Sequence, residues 1–204
     1  MGPRLLLASA SPRRRVLLER AGLTFTVEPS EVDETPPPGL EVEEVAVALA
    51  ERKADHIAAA HSGAPVSVLG ADTVVSLGET LLGKPRDEVD ARRMLEGLSG
   101  SRHRVVTGVC VIDCAAGGER RSAFERTWVT MRPIAPEEIE AYVAGGEWRG
   151  KAGGYAIQES ADAFVLGIEE GGLDNVVGLP VDLTLRLLAE IEKGREGRAG
   201  RLPG

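Results

Sequence analysis

Aromatic residues make up only 3% of the 204 residues, cysteine occurs twice and histidine three times. With so few rings, the core must be built of Leu, Val, Ala and Ile. Cys110 and Cys114 fall in one predicted strand, about 13 Å apart, too far for a disulfide. With no histidine nearby they make a poor zinc site, so they read as buried thiols of a reducing cytoplasm. His56, His61 and His103 form no spaced cluster and take no catalytic or metal role. No apolar run approaches the roughly 20 residues of a membrane helix, and Leu5 to Ala8 is too short for a signal-peptide core. The net charge of −8 excludes a general basic field for duplex nucleic acid. A polyanion would have to be held in a local pocket. The chain has neither a G-x-x-x-x-G-K-[ST] loop nor a G-x-G-x-x-G fingerprint, and Ser9 and Ser11 have no evident His/Asp partner for a hydrolase triad.

What is present is an alternation of strands and helices. Leu5 to Ala8 reads as a buried strand. Pro12 to Ala21 reads as a helix capped by Ser11, with Val16, Leu17 and Leu18 inward and Gly22 as its stop. Phe25 to Glu28 is a second strand, followed by the Pro-rich acidic loop Glu31 to Gly39. A long helix spans Glu41 to about Ala60. Val66 to Leu69 is a strand that ends at Gly70, and Thr73 to Leu77 with Thr80 to Leu82 forms a hairpin. A helix capped by Asp87 runs to Leu98. Arg104 to Cys114 and Arg120 to Met131 form an antiparallel pair joined by Ala115-Ala116-Gly117-Gly118. Pro136 to Val143 is helical, Tyr155 to Gln158 a short strand, Ala163 to Ile168 another, and a last helix starts near Pro180. The pattern predicts one α/β domain over residues 1–192, with a mixed sheet, helices on its faces and a cleft between two lobes. Residues 193–204 are expected to be a flexible polar tail.

Five segments carry candidate chemistry. At Ser11-Pro12-Arg13-Arg14 a helix start combines unpaired N–H groups with two full charges, which suits phosphates; a capped surface helix with basic residues looks the same. Asp72, in Gly70-Ala71-Asp72-Thr73, would sit past a buried strand, where it could orient water, ligate Mg²⁺, or merely stabilise a turn. Lys84, in Gly83-Lys84-Pro85, has a restricted backbone and could face a phosphate or solvent. Glu31, Asp33 and Glu34 could hold a hard cation or only keep a loop wet, and Lys53 could reach a phosphate or a local acid. In Lys151-Ala152-Gly153-Gly154-Tyr155-Ala156-Ile157-Gln158, glycines allow close approach to a flat ligand, and Gln158 can both donate and accept.

Together these segments resemble the Maf family of nucleoside triphosphate pyrophosphatases, over Leu5 to about Leu188. The resemblance rests on Ser9-Ala10-Ser11-Pro12-Arg13-Arg14, Glu31-Val32-Asp33-Glu34, Glu51-Arg52-Lys53-Ala54, Gly70-Ala71-Asp72-Thr73, Gly83-Lys84-Pro85, Leu98-Ser99-Gly100, Gly153-Gly154-Tyr155-Ala156-Ile157-Gln158 and Val177-Gly178-Leu179-Pro180. It implies a fold like that of the inosine triphosphate pyrophosphatases, with an elongated mixed sheet and a nucleotide cleft. It implies hydrolysis between the α and β phosphates, a divalent metal such as Mg²⁺ or Mn²⁺, a cytoplasmic setting and a homodimer. It implies catalytic roles for Asp72, Lys53, Lys84, Arg13 and Arg14, metal ligation by Glu34 and Asp72, and substrate binding by Ser9, Arg13, Thr73 and Gln158. Arg13, Thr73 and Gln158 match the branch acting on dTTP and UTP rather than the one acting on 7-methyl-GTP. A nucleotide-binding regulator of septum formation is the non-enzymatic alternative.

Overall fold

Short-range signals start and stop the helices of the computed structural model, which describes residues 4–115, 118–158 and 160–199. Ser11 Oγ accepts from the Arg14 N–H at the start of α1 (Pro12–Arg20), with Pro12 in the first turn. Gly22, at φ +75°, lets the chain turn away after it. Glu44 reaches back to the Glu41 N–H at the start of α2 (Val42–Ala60). Asp87 accepts from Asp90 N at 2.8 Å to open α3 (Glu88–Leu98).

Seven strands form one mixed sheet in the order β2-β1-β3-β5-β6-β7, with β4 paired to β3. They are β1 (Arg4–Leu7), β2 (Phe25–Val27), β3 (Val66–Leu77), β4 (Thr80–Leu82), β5 (Arg102–Asp113), β6 (Arg120–Met131) and β7 (Val165–Glu169). β1 is parallel to β2 and β3, and the remaining pairs are antiparallel. The other helices are α4 (Pro136–Gly145), α5 (Leu173–Val177) and α6 (Val181–Ala199).

Alternate residues of β3 face opposite layers. On one face Val68 and Val74 pack with the apolar side of α2, including Val45, Leu49, Ala50 and Ile57. On the other, Leu69 and Ala71 join Leu17, Leu18, Val177, Leu183 and Leu187 of α1, α5 and α6. Farther along that face, Val75 joins Leu95, Leu98, Ile139 and Tyr142 of α3 and α4. The predicted mixed α/β architecture is present.

Several expectations need correction. β3 does not end at Gly70 but continues to Leu77. Gly70 is a helix contact: a Cβ there would lie 2.3 Å from the Ala50 carbonyl oxygen of α2. Gly108 of β5 is alike, with Ala46 O at 2.2 Å. The two glycines let α2 lie against the sheet. Val16 faces solvent at 38% exposure, and Arg14 takes the inward position beside Leu17 and Leu18. Tyr155 to Gln158 is a turn segment after a 3-10 turn at Ala152–Gly154, because Gly153 and Gly154 have φ +70° and +75°. α6 extends through Ala199, well into the expected tail; residues 200–204 lie outside the described residues, as do two of the hairpin-turn residues, 116 and 117. Cys114 lies just past β5, and both cysteines are buried and free.

Candidate active site

An interruption in the sheet makes the cleft. β3 pairs with β1 over Val66–Leu69 and with β4 over Val75–Leu77. Between these, residues 70–74 pair only with β5. At this stretch β1 has ended and its chain turns through Ser9 into α1. Alternation then sends Asp72 toward α2 and Thr73 toward α1, so a cleft at this edge is reached by side chains from both faces. Its volume is about 970 Å³, and its lining includes Ser9, Arg13, Arg14, Glu34, Lys53, Asp72, Thr73, Lys84 and Gln158. The residues given catalytic, metal or substrate roles by the resemblance are thus gathered in one place, with Asp33; Glu31 is not among the lining residues.

On the α2 side, Lys53 is buried at 5% exposure. Its Nζ donates to Asp72 Oδ1 and lies 2.7 Å from Glu34 Oε1. The other oxygen of Glu34 accepts from Lys84 Nζ. Glu34 thus bridges two lysines. Burial raises its carboxyl pKa, but the hydrogen bonds and charges of Lys53 and Lys84 outweigh this and hold it at about 2. The close approach of α2 permitted by Gly70 and Gly108 brings Lys53 to Asp72. Asp72, at 7% exposure, bonds Lys53 through Oδ1, its one hydrogen-bonded oxygen among the described residues.

The α1 side is built differently. Arg14 is buried at 8% exposure, yet it makes no salt bridge among the described residues. Its guanidinium donates to Gly178 O at 2.8 Å, Ser9 Oγ at 3.0 Å and Thr73 Oγ1 at 3.1 Å, all neutral acceptors. Burial lowers its pKa from the usual value, opposed by Asp72 and Glu34 and reinforced by Arg13. Arginine nevertheless stays charged. Arg13 Nε donates to Val177 O at 3.3 Å. Gly178, at φ +131°, sets the backbone turn that offers these carbonyls, a conformation side chains disfavour. Thr73 lines the cleft, but its hydroxyl is engaged by Arg14 and by Thr107 at 2.9 Å. Gln158 is exposed at the rim and, with Arg13, also lines a smaller recess of about 180 Å³.

Sequence reasoning missed the acceptors behind the arginines. Thr107 was detectable: it is a hydroxyl inside the apolar run Val105-Val106-Thr107-Gly108-Val109. His103, given no role, is fully buried, with Nε2 2.7 Å from the Tyr155 hydroxyl, and burial pushes it down to about 4. It braces the segment leading to Gln158 from within the core.

A mixed sheet with an interrupted edge, a buried guanidinium that makes no ion pair among the described residues, two lysines and two carboxylates together define a class of protein with the charges to hold a polyanion in a cleft. The chain matches the family model described as Maf-like protein over residues 4–191. It is 49% identical over 177 residues to the dTTP/UTP pyrophosphatase of Pelotomaculum thermopropionicum, covering 87% of this chain and 91% of that one. It is 47% identical to the dTTP/UTP pyrophosphatase of Anaeromyxobacter dehalogenans, covering 92% and 94%. Among solved structures it matches a nucleoside-triphosphatase (dITP/XTP pyrophosphatase) of Mycobacterium abscessus at TM-score 0.43 and 15% identity, covering 98% of this chain and 100% of that one. The chain belongs to the Maf family.

Proposed function

We propose that the protein is a nucleotide pyrophosphatase that hydrolyses dTTP and UTP to the monophosphate and pyrophosphate. The observation that carries this reading is Arg14, a buried cation whose hydrogen-bond acceptors among the described residues are all neutral, facing the same cleft as Asp72. Burying an unpaired charge costs several kcal/mol, and a polyphosphate chain would offset that cost. The names of the relatives supply the substrate, and Arg13, Thr73 and Gln158 are the residues matching that branch.

In this reading Arg13, Arg14, Lys53 and Lys84 neutralise the triphosphate, whose roughly four negative charges otherwise repel an approaching water. Ser9, already turned to Arg14, bonds a phosphate oxygen. The free oxygen of Asp72 takes a proton from the water as its oxygen bonds to phosphorus. The α–β anhydride P–O bond breaks, and the bridging oxygen leaves with pyrophosphate. Glu34 and Asp72 have the hard-oxygen chemistry of Mg²⁺ or Mn²⁺ ligands. Among the described residues no group of three or more His, Cys, Asp or Glu is placed to hold an ion. Two carboxylates suit a Mg²⁺ site completed by phosphate and water. Glu34 and Asp72 would hold the ion, which would supply further charge neutralisation to the phosphates.

The test is pyrophosphate release across a nucleotide panel with Mg²⁺ or Mn²⁺. Turnover should be highest with dTTP and UTP. A preference for 7-methyl-GTP would overturn the substrate, and no turnover with any nucleotide would overturn the reading.

A further inference from the structure

Behind the arginines lies a column of buried polar side chains that the reaction above does not use. Thr107, Thr127 and Asn175 are fully buried. Thr107 Oγ1 is 2.9 Å from Thr73 Oγ1 and donates to the Asn175 carbonyl oxygen at 3.0 Å. Asn175 Nδ2 donates to Val105 O at 3.2 Å and to Thr127 Oγ1 at 2.9 Å. The column therefore ties β5 and β6 to α5. Thr107 is flanked on its face of β5 by buried Val105 and Val109, and burying a hydroxyl or amide is unfavourable unless it is bonded. Asn175 retains one such cost, since its Oδ1 has no partner among the described residues. Both its amide protons go to the two strands, which fixes where α5 sits.

The hydrogen bonds have a fixed direction. Arg14 can only donate, the Asn175 carbonyl can only accept, and each threonine hydroxyl has one proton. The order must be Arg14 to Thr73, Thr73 to Thr107, Thr107 to Asn175. The longer contact from Thr73 to Gly178 O, at 3.4 Å, would need the proton already given to Thr107. The end of α5 is also where Val177 and Gly178 offer their carbonyls to Arg13 and Arg14. Both supports of the arginine pair, hydroxyl and carbonyl, converge on the same buried column.

We propose that Thr107 and Asn175 are positioning residues for the polyphosphate. They set Arg14 through Thr73, and both arginines through α5, without touching substrate. The proposal rests on the phosphate reading of the cleft.

Thr107→Val keeps the side chain's size and removes its hydroxyl; Thr107→Ser keeps the hydroxyl. Steady-state hydrolysis of dTTP and UTP should show KM raised about tenfold in Thr107→Val with kcat within about twofold, the pattern of lost binding common to ground and transition states. Inhibition by pyrophosphate should weaken in the same proportion, and Thr107→Ser should restore both. A folded Thr107→Val with unchanged KM, or a Thr107→Ser as impaired as Thr107→Val, overturns the proposal. If Thr107→Val does not fold, Asn175→Ser breaks the column from its other end: the same KM rise supports the proposal and an unchanged KM sinks it. A wild-type protein that releases no pyrophosphate removes the enzymatic reading instead. Calorimetric binding of pyrophosphate to wild type and Thr107→Val then still decides the column's role, an equal affinity counting against it.

Discussion

The two walls of the cleft hold positive charge in opposite ways. On the α2 wall, Lys53 and Lys84 are neutralised by Glu34 and Asp72. On the α1 wall, Arg13 and Arg14 are held by carbonyls and hydroxyls that carry no net charge. A lysine paired with acids is oriented but partly cancelled. An arginine fixed by neutral acceptors is oriented and keeps its full charge, which its planar fork makes feasible. In the proposed reading the α1 wall would be the standing anion attractor. The carboxylates of the α2 wall would, in the same reading, be released to serve water or a cation once phosphate engaged the lysines.

The comparison can be broken at three points. Asp72→Asn should lower kcat at least about 100-fold, the scale for losing a general base, with the fold intact by circular dichroism. Near-normal turnover would confine Asp72 to orienting Lys53. Arg14→Lys keeps the charge but cannot reproduce three planar donors. It should lower kcat/KM on the order of tenfold to a hundredfold, the range for hydrogen bonds to a charged group. A value close to wild type would show that the α1 wall needs charge alone. Glu34→Gln should have the smallest effect, about 1 kcal/mol or less because Glu34 is partly exposed. Its sign is set by linkage. With a folded pKa of about 2 against an ordinary 4.5, Glu34 contributes stability that is present above pH 4.5 and lost as pH falls toward 2. Urea unfolding at pH 5 and pH 3 should therefore differ less in Glu34→Gln than in wild type. An equal difference would mean that Glu34 adds nothing to the folded state.

Much of this architecture was legible because its signals are local. Ser11-Pro12 and Asp87 announce helix starts through one side-chain bond each, and the apolar runs of β3 and β5 announce buried strands. Gly70 misled because a glycine that admits a helix and a glycine that turns a chain are identical in one dimension. The flanking Val68, Leu69, Ala71 and Val74 fit a continuing strand equally well. The end of α6 misled for the opposite reason. Gly194 and Gly197 disfavour a helix locally, but Arg195 and Arg198 reach Asp113 at the end of β5 and anchor it. Residue types pointed to the site, since acids and cations beside apolar runs are visible in a sequence. Which cation is cancelled and which is not depends on partners up to 164 positions apart, as for Arg14 and Gly178.

Residues 70–74 of β3, paired with β5 on one edge and with no described strand on the other, give the cleft an entrance defined by backbone rather than by charge. Lengthening β4 by two residues would continue the antiparallel ladder, pairing Gly83 with Val74 and Lys84 with Thr73, and would narrow the opening beside Asp72. The ionic side chains would remain while the way in to them narrowed. The length of a three-residue hairpin arm is therefore as much a condition of access as any arginine beside it.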